Sequence, residues 1–215
     1  MELQLDITPE QLEEGRMLFA RGTTFVKGVV NLEGLPDDSV IAEVAFAGRS
    51  NVGKSSLINA LTNMTHLART SNTPGRTREL NYFDVNGRMH LVDMPGYGYA
   101  RASKGEIKRW NLLIKQYLKG RTNLRRVYIL IDSRHGIKPS DIELMEMLDE
   151  AAVTYAPVLT KLDKIKKSDV VKVHASVFEK TGKRAAAFPF LVDTSAEKKT
   201  GIDILRGCIW NAIQG

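Results

Sequence analysis

Residues 48 to 56 read GRSNVGKSS, which puts Gly48, Gly53, Lys54 and Ser55 on the spacing GxxxxGK[ST]. In such a loop the glycines let the backbone N–H groups of Arg49, Ser50, Asn51 and Val52 converge on phosphate oxygens. Lys54 adds a point charge, and the Ser55 hydroxyl, with Ser56 behind it, stands at a helix N-terminus where it can ligate magnesium. A glycine turn beside a solvated lysine is the bland alternative. The flanks argue against it, because a buried-strand pattern, IAEVAFAG, runs into the loop and a helical pattern, LINAL, runs out of it. The chemistry implied is the binding of a nucleoside triphosphate.

Two later stretches bear on the base. TKLD (Thr160, Lys161, Leu162, Asp163) and TSA (Thr194, Ser195, Ala196) both follow apolar strand patterns, at the carboxyl ends where open parallel sheets bind ligands. Asp163 can accept two parallel hydrogen bonds from the ring N–H and the exocyclic amine of guanine, a pair that adenine does not offer. Lys161 is expected to lie along the base and brace the phosphate loop, with the Ser195 and Ala196 N–H groups facing the guanine carbonyl. A Lys-Asp pair after a strand is common by itself; its position after the phosphate loop and before TSA gives it meaning. A third stretch, Asp93, Met94, Pro95 and Gly96 in LVDMPGYGYAR, is either a plain strand ending or a phosphate-sensing turn.

The elements that must position these groups follow from periodicity. Thr8, Pro9 and Gln11 form a capping-box pattern for a leading helix. Apolar runs IAEVAFAG, LNYFDV, MHLVDM, RVYILID, YAPVLTK and FPFLVDT read as six strands, with Asn86-Gly87 turning the second into the third as an antiparallel hairpin. KGEIKRWNLLIKQYLKG reads as a basic helix. Further helices are expected after the last three strands, with Ser140 (capping box with Glu143), Ser168 and Gly201 at their starts. The expected fold is α/β, a mostly parallel six-stranded sheet with one antiparallel edge strand and helices on both faces. One domain should span residues 1–215, with residues 1–40 as a helical lead-in and 41–215 as the core.

Composition narrows the class. The chain has 215 residues, 43% hydrophobic, with a formal net charge of +6. No apolar stretch reaches membrane-spanning length, the N-terminus is acidic, and a cytoplasmic protein without a membrane partner is expected. The single cysteine, Cys208, reads as a small core hydrophobe, which removes disulfides and cysteine-based zinc sites. His66, His90, His135 and His174 are dispersed. The basic balance suits a polyanionic partner, and Lys104, Lys108, Arg109, Lys115, Lys119, Arg121, Arg125 and Arg126, with a second group from Lys164 to Lys172, form either a solvated face or an RNA contact.

GRSNVGKSS, TPGRT, DMPGYGYA, TKLD and TSA stand in the order found in the EngB (YihA/YsxC) group of translation-factor-class GTPases, which the chain resembles over nearly its whole length. Most small GTPases carry asparagine where Thr160 stands; the threonine resembles an EngB trait. The resemblance implies a Ras-like domain, GTP and GDP binding with slow hydrolysis, and a role in assembling the large ribosomal subunit on its rRNA, with a link to cell division and septation; a monomer is expected. It assigns Mg2+ to Ser55 and Thr77, with Asp93 reaching it through water, and it selects Thr77 over Thr70 and Thr73. Gly75, Arg76, Thr77, Arg78 and Glu79 become the first switch. DMPG becomes the second, with the Gly96 N–H offered to the terminal phosphate.

Ras-like enzymes follow that glycine with a glutamine that orients water; Tyr97 stands here. Lys54, Thr77, Gly96 and Asn51 are the candidates for stabilising the reaction. Asn51 has two readings, a ligand for a K+ ion that replaces an arginine finger or simply a turn residue, and Arg76, Arg78, Arg101 or a partner could supply charge instead. Outside this family, a P-loop nucleotide kinase and a nucleotide-independent RNA-binding module are the alternatives.

Overall fold

The computed structural model describes residues 6–37, 41–65, 67–68, 79–98 and 103–215. Seven strands form one sheet: β1 (Thr23–Val29), β2 (Ala42–Gly48), β3 (Leu80–Val85), β4 (Met89–Asp93), β5 (Leu124–Asp132), β6 (Tyr155–Thr160) and β7 (Val192–Asp193), in the order β1-β3-β4-β2-β5-β6-β7. All pairings are parallel except those made by β3, which runs against both β1 and β4. The six expected strands are present and β1 is an addition that covers the edge beyond β3. Its central five residues are all exposed, so no apolar alternation marks it in the sequence. The last expected strand is short: only Val192 and Asp193 of FPFLVDT pair.

Alternate residues of the central strands feed two cores. Val44 and Phe46 of β2, Tyr128 and Leu130 of β5, and Val158 of β6 face α1 (Pro9–Ala20), α2 (Lys54–Thr62) and α6 (Ile202–Gln214). Ala45 and Ala47, Val127 and Ile129, and Leu159 face α3 (Lys104–Gly120), α4 (Pro139–Glu150) and α5 (Lys167–Thr181). Burial on both faces is why these strands read as continuous apolar runs. The two alanines of β2 leave room on the second face for Ile114, Tyr117 and Leu144.

The leading helix begins as its residues dictate: Thr8 and Gln11 cap each other, and Pro9 opens the first turn. It crosses α6 so closely that a Cβ on Gly15 would stand 2.5 Å from the Arg206 carbonyl carbon. Arg206 in turn donates from Nε to the Leu61 carbonyl at 2.9 Å and from a terminal nitrogen to that of Ala60 at 3.3 Å. The carbonyl end of α2, the helix that follows the phosphate loop, is thereby held by a cation.

Two helix starts differ from expectation. Before α4 the flanking residue is Lys138, not Ser140, and Asp141 caps the turn by accepting the Lys138 N–H at 2.7 Å. Before α5 it is Lys166, and Ser168 lies inside the first turn without a side-chain cap. In both, a helix with Pro or Lys at its first position begins earlier than the serine. Cys208 lies on the buried face of α6, where burial pushes its thiol up to about 12. Among the described residues no helix is long and apolar enough to cross a membrane.

The candidate nucleotide cleft and its relatives

The loop 49–53 leaves β2 between β4 and β5, the point in the sheet where the chain turns to both sides. Its shape demands its residues. Gly53 sits at φ 104° and opens α2, and Asn51 sits at φ 64°, a left-handed conformation that asparagine accepts more readily than most. At Gly48 a Cβ would come 2.8 Å from Val52 Cγ1 and 3.1 Å from Leu130 Cβ. Gly48 therefore lets β2 pass β5 while the loop folds back.

Lys54 stands at the first position of α2 and forms an ion pair with Asp93 at the end of β4; the two side chains are only 10% and 7% exposed. Ser55 is half-buried in the same turn and Ser56 is exposed. The Met94 N–H donates to Phe46 O at 3.0 Å and Pro95 is buried. Gly96 passes so close to the loop that a Cβ would meet Ser50 Oγ at 3.3 Å. The Ser50 N–H donates to Tyr97 O at 2.9 Å, and the Tyr97 N–H to Gly48 O at 3.4 Å, so phosphate loop and DMPGY stretch are stitched backbone to backbone. Of the first switch only Glu79 is described, exposed just before β3; Gly75, Arg76, Thr77 and Arg78 lie outside the described residues, as do Thr70, Thr73, Arg101 and His66.

The Tyr97 side chain turns away from the cleft. It is buried in the second core, where its hydroxyl donates to Asp141 Oδ1 at 2.8 Å and its ring lies 5.4 Å from that of Trp110. Burial raises the phenol well above its usual range, and burial likewise raises the Asp141 carboxyl. Its aromatic body belongs to the wall, not to the water side.

At the base end, Thr160 ends β6, Lys161 and Asp163 lie in the turn that follows it, and Ser195 follows β7. Thr160 Oγ1 donates to the Val52 carbonyl at 2.7 Å. Lys161, at φ 57°, reaches across the loop, where Nζ donates to Asn51 O at 2.6 Å and to Asp132 Oδ2 at 2.9 Å. The expected brace is present. Asp132 is the anchor that the sequence reading passed over; burial works against its charge, but hydrogen bonds from Arg134 and Lys161 hold the carboxyl well below the usual range. Its signal was an aspartate ending the strand RVYILID at the ligand edge of the sheet.

Asp163, with its side chain 9% exposed, accepts a hydrogen bond at Oδ1 from Ser195 Oγ at 2.6 Å, and that bond lowers its pKa. Oδ2 lies 3.1 Å from Lys164 Nζ, which also reaches Glu197 at 2.8 Å. The Leu162 N–H donates to Thr194 O at 3.2 Å and ties the two loops together. One expectation fails: the Ser195 N–H is spent on Thr200 O at 3.0 Å, a bridge that closes the turn after β7. Its hydroxyl, not its N–H, serves this end of the cleft, which leaves only the Ala196 N–H of the expected pair.

The basic run divides. Arg121 is buried in an ion pair with Glu43, itself also bonded by Tyr117, and Arg126 stacks over Phe188 with its guanidinium carbon 3.6 Å from the ring centroid. Both are structural. Lys108, Arg109, Lys115 and Lys119 are exposed along α3. No group of three or more His, Cys, Asp or Glu side chains forms a metal cluster among the described residues; His90 approaches Glu43 at 4.0 Å and His174 bonds Asp193 at 2.9 Å.

Comparisons with known proteins agree with this cleft. The family described as 50S ribosome-binding GTPase matches residues 43–164. An EngB GTP-binding protein of Roseobacter denitrificans is 56% identical over 203 residues, 94% of each chain. Another, of Rhodospirillum rubrum, is 56% identical over 200 residues, 91% of this chain and 86% of its own. A crystal structure of an engB GTP-binding protein aligns at 28% identity with a TM-score of 0.67, covering 80% of this chain and 99% of that one. The fold alone is shared with Era crystallised with MgGDPNP and a piece of 16S ribosomal RNA, at 23% identity, a TM-score of 0.63, and 80% and 57% coverage. The nucleotide-kinase and nucleotide-independent RNA-binding alternatives fall away, for the chain belongs to the EngB family of GTP-binding proteins and is a P-loop GTPase that binds guanine nucleotides.

Proposed function

We propose that this GTPase is a nucleotide-controlled assembly factor that docks on the rRNA of the large ribosomal subunit, with a link to cell division and septation. It works in the cytoplasm as a monomer, a single G domain of residues 41–215 with residues 1–40 as its lead-in. The observation that carries this reading is the placement of α3. Lys108, Arg109, Lys115 and Lys119 lie exposed on a helix that begins just after the DMPG stretch, and Trp110 of that helix donates from Nε1 to the Pro95 carbonyl at 3.0 Å. A basic face so attached can sense what the cleft holds. The family description supports the ribosomal partner.

Within the cleft, the loop N–H groups and Lys54 cradle the phosphates, and Asp163, Lys161 and the Ala196 N–H take the base. Ser55, Thr77 and Asp93 hold magnesium. The described donors fit that ion, since a hydroxyl on the first turn of α2 beside a buried carboxylate at the end of β4 is an oxygen set of the kind a hard divalent cation takes. Bound there, magnesium supplies charge neutralisation at the phosphates. Lys54 and Asp93 pair with each other in this structure, so nucleotide binding requires the two to exchange partners. Hydrolysis is slow because the position after Gly96 carries no water-orienting amide. The left-handed Asn51 already has a reason to be asparagine; potassium held by its side chain is a further reading.

The test is co-sedimentation with purified large subunits, loaded with GDP or a non-hydrolysable GTP analogue, across a salt series. Binding should favour the triphosphate and fall steeply with salt. Equal binding in both states, or binding indifferent to salt, would contradict the proposal.

A further inference from the structure

Tyr97 occupies the place of a catalytic glutamine, and its surroundings give it another task. Besides the Tyr97 N–H bond to Gly48 O, three ties converge on residues 95 to 97. Trp110 Nε1 holds the Pro95 carbonyl at 3.0 Å, the Tyr97 hydroxyl holds Asp141 at 2.8 Å, and the Tyr97 carbonyl accepts the Ser50 N–H at 2.9 Å. Gly96 lies between them with less than a methyl group of clearance from Ser50. Asp141 is buried, and its second oxygen is committed to the Lys138 N–H at 2.7 Å, so it cannot follow the tyrosine without unmaking the start of α4. Tyrosine and tryptophan rings meet at 5.4 Å, which joins the two side-chain ties into one unit.

We propose that Tyr97 is a positioning residue: its bond to Asp141, together with the Trp110 bond to Pro95, sets where the Gly96 N–H stands against the phosphate loop and transmits any change there to α3. This rests on the reading of DMPG as the second switch. Any rotation of the Pro95-Gly96 peptide toward a terminal phosphate must move the Pro95 carbonyl and so strain or break the Trp110 bond. The basic face of α3 is then the output, and Tyr97 is the pivot that keeps the movement from dissipating into the loop beyond it. A glutamine here would lose the buried ring and the hydroxyl bond to Asp141, leaving that carboxyl short of a donor.

The chain has two tryptophans, so Trp210→Phe leaves Trp110 as the only indole reporter. In that background, emission should differ between GDP and a non-hydrolysable GTP analogue. Tyr97→Phe, which keeps the ring and removes only the hydroxyl, should abolish most of that difference and weaken the GTP analogue by about tenfold, with GDP affinity held within about twofold. Asp141→Asn, which preserves an acceptor, should behave between the two. Tyr97→Gln should not accelerate hydrolysis. If the parent responds to the analogue and Tyr97→Phe responds equally, the latch is wrong while the switch reading stands. If the parent itself gives identical emission and affinity with both nucleotides, the switch reading fails and the latch with it.

Discussion

At the base end of the cleft, Asp163, Ser195, Lys161, Asp132 and Thr160 are bonded to one another or to the loop through side-chain hydrogen bonds of 2.6 to 2.9 Å, anchored on β5, β6 and the turn after β7. At the phosphate end, the loop and the DMPGY stretch are joined by backbone bonds, and among the described residues the charged tie is the Lys54–Asp93 pair. The base end needs little rearrangement to receive a purine. The phosphate end must dissolve an ion pair and release both partners. Preorganisation at one end gives selectivity without cost at the moment of binding, and exchangeable partners at the other make that end responsive to the number of phosphates.

The comparison can be broken most severely at the phosphate end. Lys54→Ala should reduce nucleotide affinity and hydrolysis on the order of 10²-fold or more. It also strands the buried Asp93, so the nucleotide-free protein should melt at a lower temperature; nucleotide titration and thermal scanning check the two separately. Next in size is Thr160→Val, which leaves the Val52 carbonyl without its buried donor and should speed GDP release by about tenfold in stopped-flow fluorescence. Asn51→Gly should change nucleotide affinity less than about threefold, because glycine accepts the same φ. In that variant, exchanging sodium for potassium should leave hydrolysis unchanged, whereas the parent should respond; a parent indifferent to the exchange removes the potassium reading.

The smallest effect concerns acid. The folded-state pKa of Asp132 lies below its unfolded value of about 3.9, so the stability it contributes is present above that value and lost as pH falls through the folded pKa. Asp132→Asn should therefore flatten the decline of melting temperature below about pH 4, while the Lys161 brace of the parent survives unchanged from neutral pH to about 5.

What the sequence displayed well was whatever depends on fixed spacing or strict periodicity. The phosphate loop, the Asn86-Gly87 hairpin, the Thr8 cap and the apolar central strands have local physical causes and stand where expected. The edge strand β1 escaped because its pairing with β3 is a matter of backbone, with no buried alternation to announce it. The Ser195 N–H was misjudged because the turn after β7 closes on Thr200 through a backbone bridge, a choice invisible to residue type. Asp132, Trp110 and Asp141 act across 29, 15 and 44 positions of sequence, and only the folded sheet brings them to Lys161, Pro95 and Tyr97.

The most direct test of the preorganised base end is a titration of the parent and Asp163→Asn with fluorescent GDP, ATP and xanthine nucleotide analogues in magnesium. The parent should bind only the guanine form, and the variant should lose it by roughly 10⁴ while gaining the xanthine form. Retention of guanine binding by Asp163→Asn, or equal binding of ATP by the parent, would contradict the account.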